Sequence, residues 1–198
     1  MRLYEFQAKR LFADAGIPVP ASRLIVSPDQ VAGLSFPAVL KAQVPVGGRG
    51  KAGGIRLATD RGQAETAAEE LLGSDIRGYT AGALLAEEVA QVQREVYLAL
   101  VLDKGAGRVT IVGSAEGGVD IEEVAQTAPD KIVSRALDPF LGLPPFTVRS
   151  VAKELGIQDM AELDAVLRAM YDLLRANDAI LVEINPLAVT ARGLLALD

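Results

Sequence analysis

Residues 39–54 read VLKAQVPVGGRGKAGG, an apolar run that opens into a loop with five glycines and the cations Lys41, Arg49 and Lys51 in or beside it. Glycines let a backbone approach a ligand closely, and interleaved cations suit an anionic one, so the first expectation is phosphate. The loop is not a P-loop, because Pro45 stands where the leading glycine is required and Ala52 where Ser or Thr is required. Gly48, Gly50 and Gly53 satisfy G-x-G-x-x-G, but the loop runs into the strand-like GIRLAT rather than opening a helix, so the Rossmann context is missing. Strand, glycine loop, strand describes a flap laid over phosphates; an ordinary flexible hairpin is the other reading.

Composition narrows the chemistry. The chain has 198 residues, half of them hydrophobic, enough for one large domain or two lobes. A net charge of −6 argues against a general binder of nucleic acid or membrane surface, so any phosphate site must be local. No window approaches eighteen uninterrupted apolar residues, and the opening MRLYEFQAKRLF alternates charge with apolar side chains, which reads as cytoplasmic. With no cysteine and no histidine, thiolate nucleophiles, His-based triads and a phosphohistidine within the chain are excluded. Lysine, arginine, carboxylates and backbone amides remain, a kit for orienting a nucleotide with magnesium.

Along the chain, helices and strands alternate without repeats. Residues 3–15 form an amphipathic helix stopped by Gly16, Pro18 and Pro20. SRLIV reads as a strand, SPDQVAGL as a helix with Ser27 as N-cap and Gln30 completing a capping box, and FPAVLKAQV and GIRLAT as the strands around the glycine loop. DRGQAETAAEELLG is a helix and GALLAEEVA a buried strand. REVYLALVLD and RVTIVGSA, joined by KGAG, make the clearest hairpin. A short helix capped by Asp120 and Glu123 follows, then helices near 146–155 and 159–176, the second with Met160, Leu163, Val166, Leu167, Met170 and Leu174 on one apolar face. The expected division is a small lobe at 21–90 and a larger one made of 1–20 with 91–198.

The end of the chain holds a second constellation. In ILVEINP, alternation along a strand puts Leu181, Glu183 and Asn185 opposite Ile180, Val182 and Ile184. A two-residue turn at Ala191 and Arg192 pairs Thr190 with Gly193 and brings Asp198 opposite Asn185. An amide oxygen and a carboxylate, with phosphate oxygens and water, suit Mg²⁺; a solvated strand face is the alternative. Glu87 and Glu88 end an apolar strand, where a carboxylate can accept ribose or amine protons, although composition alone favours solvated surface charge for these and for Glu95.

LYEFQAKRLFADAGIPVP, KAQVPVGGRGKAGG, GSAEGGVDIEEVAQTAPDKI, ALDPFLGLPP and LVEINPLAVT with the closing LALD together resemble the ATP-grasp region of the succinyl-CoA synthetase (succinate–CoA ligase) β subunit, in order and over essentially the whole chain. The resemblance implies an α+β, ATP-grasp fold of two α/β lobes with nucleotide between them. It implies that Lys41, Gly48, Arg49 and Gly50 bind ATP or ADP (or GTP or GDP), that Glu87, Ala90 and Glu95 lie around base and ribose, and that Asn185 and Asp198 hold Mg²⁺. Glu183 falls where the family faces the phosphorylated histidine of its α subunit, the partner through which CoA and succinate react. AEGGVDIEE belongs to the resemblance without a role that the residues reveal. The family subunit continues into a flavodoxin-like domain, so a fragment or a truncated protein is expected. Related malate–CoA ligase and citryl-CoA synthetase subunits, and a noncatalytic Mg-nucleotide-binding module, are the other readings.

Overall fold

A computed structural model describes residues 2–118 and 120–198; Val119, within the AEGGVDIEE stretch, lies outside the described residues. The chain divides into two compact units, one running through Arg10 and resuming at Pro20–Ala90, the other made of Leu11–Val19 and Gln91–Asp198. The first ten residues therefore belong with the first unit, not the second as the sequence suggested, because Glu5 and Lys9 are buried among its charged side chains.

The first unit contains the start of α1 (Glu5–Asp14), β1 (Ser22–Ile25), a 3₁₀ turn at Pro28–Gly33, β2 (Ala38–Ala42), β3 (Ile55–Ala58), α2 (Arg61–Leu71), a two-stranded ribbon of β4 (Asp75–Ile76) and β5 (Tyr79–Thr80), and β6 (Leu84–Glu88). Its main sheet is antiparallel in the order β1-β6-β2-β3. Leu40, Leu84, Ile25 and the alanine face of α2 form the core beneath it. Asp60 caps α2 by accepting from the Gln63 N–H at 2.9 Å. Ser27 makes no such cap: Gln30 accepts instead from the Val26 N–H at 2.8 Å, and the segment closes as a 3₁₀ turn rather than an α-helix.

The second unit is built on an antiparallel sheet β11-β10-β7-β8-β9, from β7 (Val92–Asp103), β8 (Arg108–Ser114), β9 (Ile132–Ala136), β10 (Leu181–Thr190) and β11 (Gly193–Ala196). Short α3 (Ile121–Thr127) follows β8, with Asp120 accepting from the Glu122 N–H, and α4 (Pro145–Leu155) and α5 (Met160–Ala176) supply the helical layer. The β7–β8 hairpin closes with Asp103 opposite Arg108, as its sequence suggested. Strand β9 and the β4–β5 ribbon were not expected. Leu163, Val166, Leu167, Met170 and Leu174 face the core, which also takes Leu98, Leu100 and Ile184. Met160, expected on the same face, is 48% exposed at the first position of α5, whereas Leu163 one turn on is fully buried.

This distinction is measurable. Leu167→Ala is expected to cost about 2–5 kcal/mol in chemical denaturation, through lost burial and a residual cavity, whereas Met160→Ala changes stability by less than about 0.5 kcal/mol.

Candidate functional site

In the first unit, β2 delivers Lys41 to the root of the glycine loop, and the chain returns at β3 with Lys41 paired to Ile55. The loop is closed by backbone bonds, Ala42 N–H to the Gly54 carbonyl and Gly54 N–H to the Arg49 carbonyl, both 2.8 Å. Arg77 holds it from outside, donating to the Gly47 carbonyl at 2.8 Å. Gly48 sits at φ +73°, where an L side chain is strained, and a Cβ at Gly50 would meet nothing nearer than the Ile55 Cδ1 at 3.6 Å. The loop is thus an ordered flap, not a loose hairpin.

Arg49 does not project from the loop but turns back beneath it. Its guanidinium lies 2.8 Å from Glu5 Oε2 and 3.2 Å from the Ala42 carbonyl. The other Glu5 oxygen receives the ammonium groups of Lys41 at 3.0 Å and Lys9 at 3.1 Å. Glu87 binds the same two lysines, Lys41 at 2.6 Å and Lys9 in a tight contact. Gln43 completes the cluster, donating to Glu5 at 3.1 Å and accepting from the Phe6 N–H. All five charged side chains are at most 10% exposed. Burial alone would raise the Glu5 carboxyl, but Lys41, Lys9 and Arg49 together lower it to about 2. Lys9 is pushed below its usual range, first by burial and then by Lys41.

Glu87 is consequently not the solvated surface charge that composition suggested: it is 3% exposed and engaged by two lysines, because β6 pairs with β2 so that Glu87, opposite Val39, lies diagonal to Lys41 on one face. Glu88 is the exposed member of the pair, and Ala90 follows β6 half-buried.

In the second unit the terminal turn falls at Ala191 and Arg192 with Thr190 opposite Gly193. Beyond the ladder, the Asn185 N–H donates to the main-chain oxygen of Asp198 at 2.8 Å, which makes these residues cross-strand neighbours. Asn185 Oδ1 accepts from the Gly118 N–H at 2.9 Å. Glu95, on β7, carries its carboxylate to the same loop: a Cβ on Gly118 would lie 2.6 Å from Glu95 Oε2. Glu183 pairs with Ala99 and takes a hydrogen bond from Tyr97, one diagonal step away. Tyr97 is buried, and burial, Glu183 and the nearby Glu122 all push its hydroxyl above the ordinary range, so it stays protonated and donates. Val182 and Ile184 are buried, while Ile180, which lies just before β10, is exposed.

Asn185 and Asp198 offer only hard oxygen donors, the chemistry that Mg²⁺ takes. Among the described residues no group of three or more His, Cys, Asp or Glu is arranged to hold a metal, so an ion here would draw its remaining ligands from phosphate and water. Glu5, Lys9, Gln43 and Tyr97 were not recognised in the sequence, and the Gly117–Gly118 pair appeared there only within a motif without a role. Glu5 and Lys9 are four apart on a helix, which reads as an exposed i, i+4 pair until the sheet that buries them is known.

The fold belongs to a known class: the ATP-grasp domain model matches residues 2–189, and the chain belongs to that family. Within it, the chain is 47% identical over its whole length to the β subunit of ADP-forming succinate–CoA ligase from Halorubrum lacusprofundi, covering 54% of that protein, and 44% identical to the corresponding subunit from Acidithiobacillus ferrooxidans, covering 55%. It thus spans about half the length of these relatives and is homologous to their ATP-grasp part. Among solved structures, the dinucleotide-forming acetyl-coenzyme A synthetase 1 of Ca. Korarchaeum cryptofilum, in complex with coenzyme A and Ca-AMPCP, shares the fold with a TM-score of 0.78 at 22% identity, over 99% of this chain and 90% of that one. No helix among the described residues is long and apolar enough to cross a membrane.

The Glu5 cluster has a pH signature. Its carboxyl is lowered from 4.5 to about 2 on folding, so its contribution of about 3 kcal/mol is complete above pH 4.5 and disappears as pH falls toward 2. Urea melts across that window should show the loss in the parent and a flatter acid limb in Glu5→Gln. That variant should also be about 3–5 kcal/mol less stable at pH 7, because three buried cations lose a partner.

Proposed function

We propose that this chain is the nucleotide-handling part of an ADP-forming succinate–CoA ligase β subunit, working in the cytoplasm with an α subunit that carries the phosphorylated histidine. The observation that carries the reading is the convergence of Lys41 and Arg49 on Glu5 at the root of the glycine flap, which fixes two cations in place before any ligand arrives. Chain-long identity to β subunits supports it.

In this reading Lys41, Arg49 and the backbone at Gly48 and Gly50 hold the phosphates of ATP or ADP, or of GTP or GDP. Ala90 and Glu95 lie around base and ribose, while Glu87 acts by fixing Lys41 and Lys9. Asn185 and Asp198 hold Mg²⁺, which when bound neutralises phosphate charge. Glu183, steadied by Tyr97, accepts from the imidazole N–H of the partner's histidine and orients it. With no His of its own, the chain lacks the phosphate carrier of the family it resembles. CoA and succinate react only in the complete two-subunit enzyme, so the chain alone makes no succinyl-CoA.

Calorimetry tests the flap: Lys41→Ala and Arg49→Ala should each weaken Mg-ADP binding by about one to two decades, the loss of a charge-assisted contact worth about 1.5–3 kcal/mol. Circular dichroism run alongside separates this from unfolding, and unchanged affinity in two folded variants would remove the assignment. With ATP labelled at the γ-phosphate, this chain should stay unlabelled and an added α subunit should gain acid-labile, base-stable label; stable label on this chain would overturn the division of roles.

A further inference from the structure

The AEGGVDIEE stretch matched the family without a role, and the structure supplies one. Between β8 and α3 the chain crosses β7 at Gly117, where an added Cβ would stand 2.6 Å from the Val96 nitrogen and 2.7 Å from the Glu95 carbonyl carbon. These are backbone atoms of a central strand, so no side chain fits without displacing the loop. The Gly117 N–H donates to the Glu95 carbonyl at 3.1 Å, and one residue later the Gly118 N–H donates to Asn185 Oδ1 at 2.9 Å. Gly118 has φ +67°, the conformation that turns this second N–H toward β10. A carboxamide has an accepting end and a donating end, and an N–H facing it selects the accepting one. An amide oxygen also has two acceptor directions, so a bond from Gly118 is compatible with cation ligation by the same atom.

We propose that the Gly117–Gly118 backbone is the positioning element for Asn185, fixing its amide with the oxygen presented to the Mg²⁺ of a bound Mg-nucleotide. This rests on the reading of Asn185 as a magnesium ligand. Gly117 sets the height of the loop over β7, Gly118 converts that height into a hydrogen bond, and Asn185 is held in one flip state. Partners that orient a metal ligand typically contribute 10- to 100-fold in metal affinity.

The test measures ADP affinity by calorimetry with and without Mg²⁺, together with exchange of the Gly118 amide by NMR, in the parent, Gly117→Ala, Asn185→Ala and Asn185→Asp. The enhancement of ADP binding by Mg²⁺ should fall about 10-fold or more in Gly117→Ala, with affinity in chelator unchanged. Gly118 exchange should accelerate in both alanine variants. Asn185→Asp keeps an oxygen toward Gly118 and should retain both properties. If Gly117→Ala does not fold, Gly118→Ala takes its place: a side chain at φ +67° strains the backbone that carries the N–H, so the Mg²⁺ enhancement should again fall about 10-fold, and the comparison is confined to that enhancement because the added methyl also meets the Glu95 carboxylate at 2.6 Å. Loss of the Mg²⁺ enhancement in Asn185→Ala but not in a folded glycine variant would overturn the positioning role alone. Enhancement retained in Asn185→Ala would overturn the metal-ligand reading and this inference with it.

Discussion

The carboxylate of Glu5 is the point on which the first unit turns. One group with two oxygens receives Lys9, Lys41, Arg49 and Gln43, and each contact comes from a different stretch of chain: the helix itself, β2, the glycine loop and the end of β2. Desolvating five charged side chains is expensive, and the cost is recovered only when every member is in place. The cluster therefore couples the conformation of the loop to the seating of α1. Arg49 turns inward because its partner is there, and the loop closes over it because the Arg49 carbonyl accepts from Gly54. A glycine-rich segment that would otherwise sample many states is held in one.

The second unit solves a similar problem with backbone in place of charge. Its long β7 is paired on both edges, by β10 and β8, so its peptide groups are largely committed to the sheet. The loop after β8 settles on this strand only by giving up side chains at Gly117, and the reward is a backbone N–H delivered to Asn185. Tyr97 does the corresponding work for Glu183 from within the strand. In both units the side chains singled out by chemistry are held by hydrogen bonds or ion pairs from neighbouring residues.

Features closed by local rules were legible in the sequence. The β7–β8 hairpin follows from KGAG between two alternating runs, the terminal turn at Ala191–Arg192 fixes the register that joins Asn185 to Asp198, and Asp120 announces α3. Features that depend on sheet order were not legible. Glu87 looked like surface charge because nothing local shows that β6 lies between β1 and β2. Strand β9 was missed because IVSRA is short and its pairing partner, β8, lies across a helix. Ser27 makes no side-chain cap: the segment closes as a 3₁₀ turn in which the Gln30 N–H donates to the Ser27 carbonyl. The resemblance supplied the glycine pair as a motif, but its meaning depends on a 2.6 Å approach that no spacing rule encodes.

The burial of Lys41 and Arg49 also bears on how such a flap can serve phosphate. Exposed cations on a mobile loop would surrender side-chain entropy on meeting an anion, whereas cations already fixed by Glu5 and Glu87 have lost that entropy on folding. The carboxylates lower the field that an incoming anion feels, but they also hold the ammonium and guanidinium groups in a site where each is at most 10% exposed, so little bulk water screens what remains. Preorganised, partly neutralised cations favour a ligand whose charge moves during reaction over one that merely binds tightly, because the fixed groups need not reorganise as negative charge shifts between phosphoryl oxygens. A chain without histidine or cysteine has no covalent route open to it through those groups, and under the proposed reading the placement of charge is what the buried cluster would supply to the reaction.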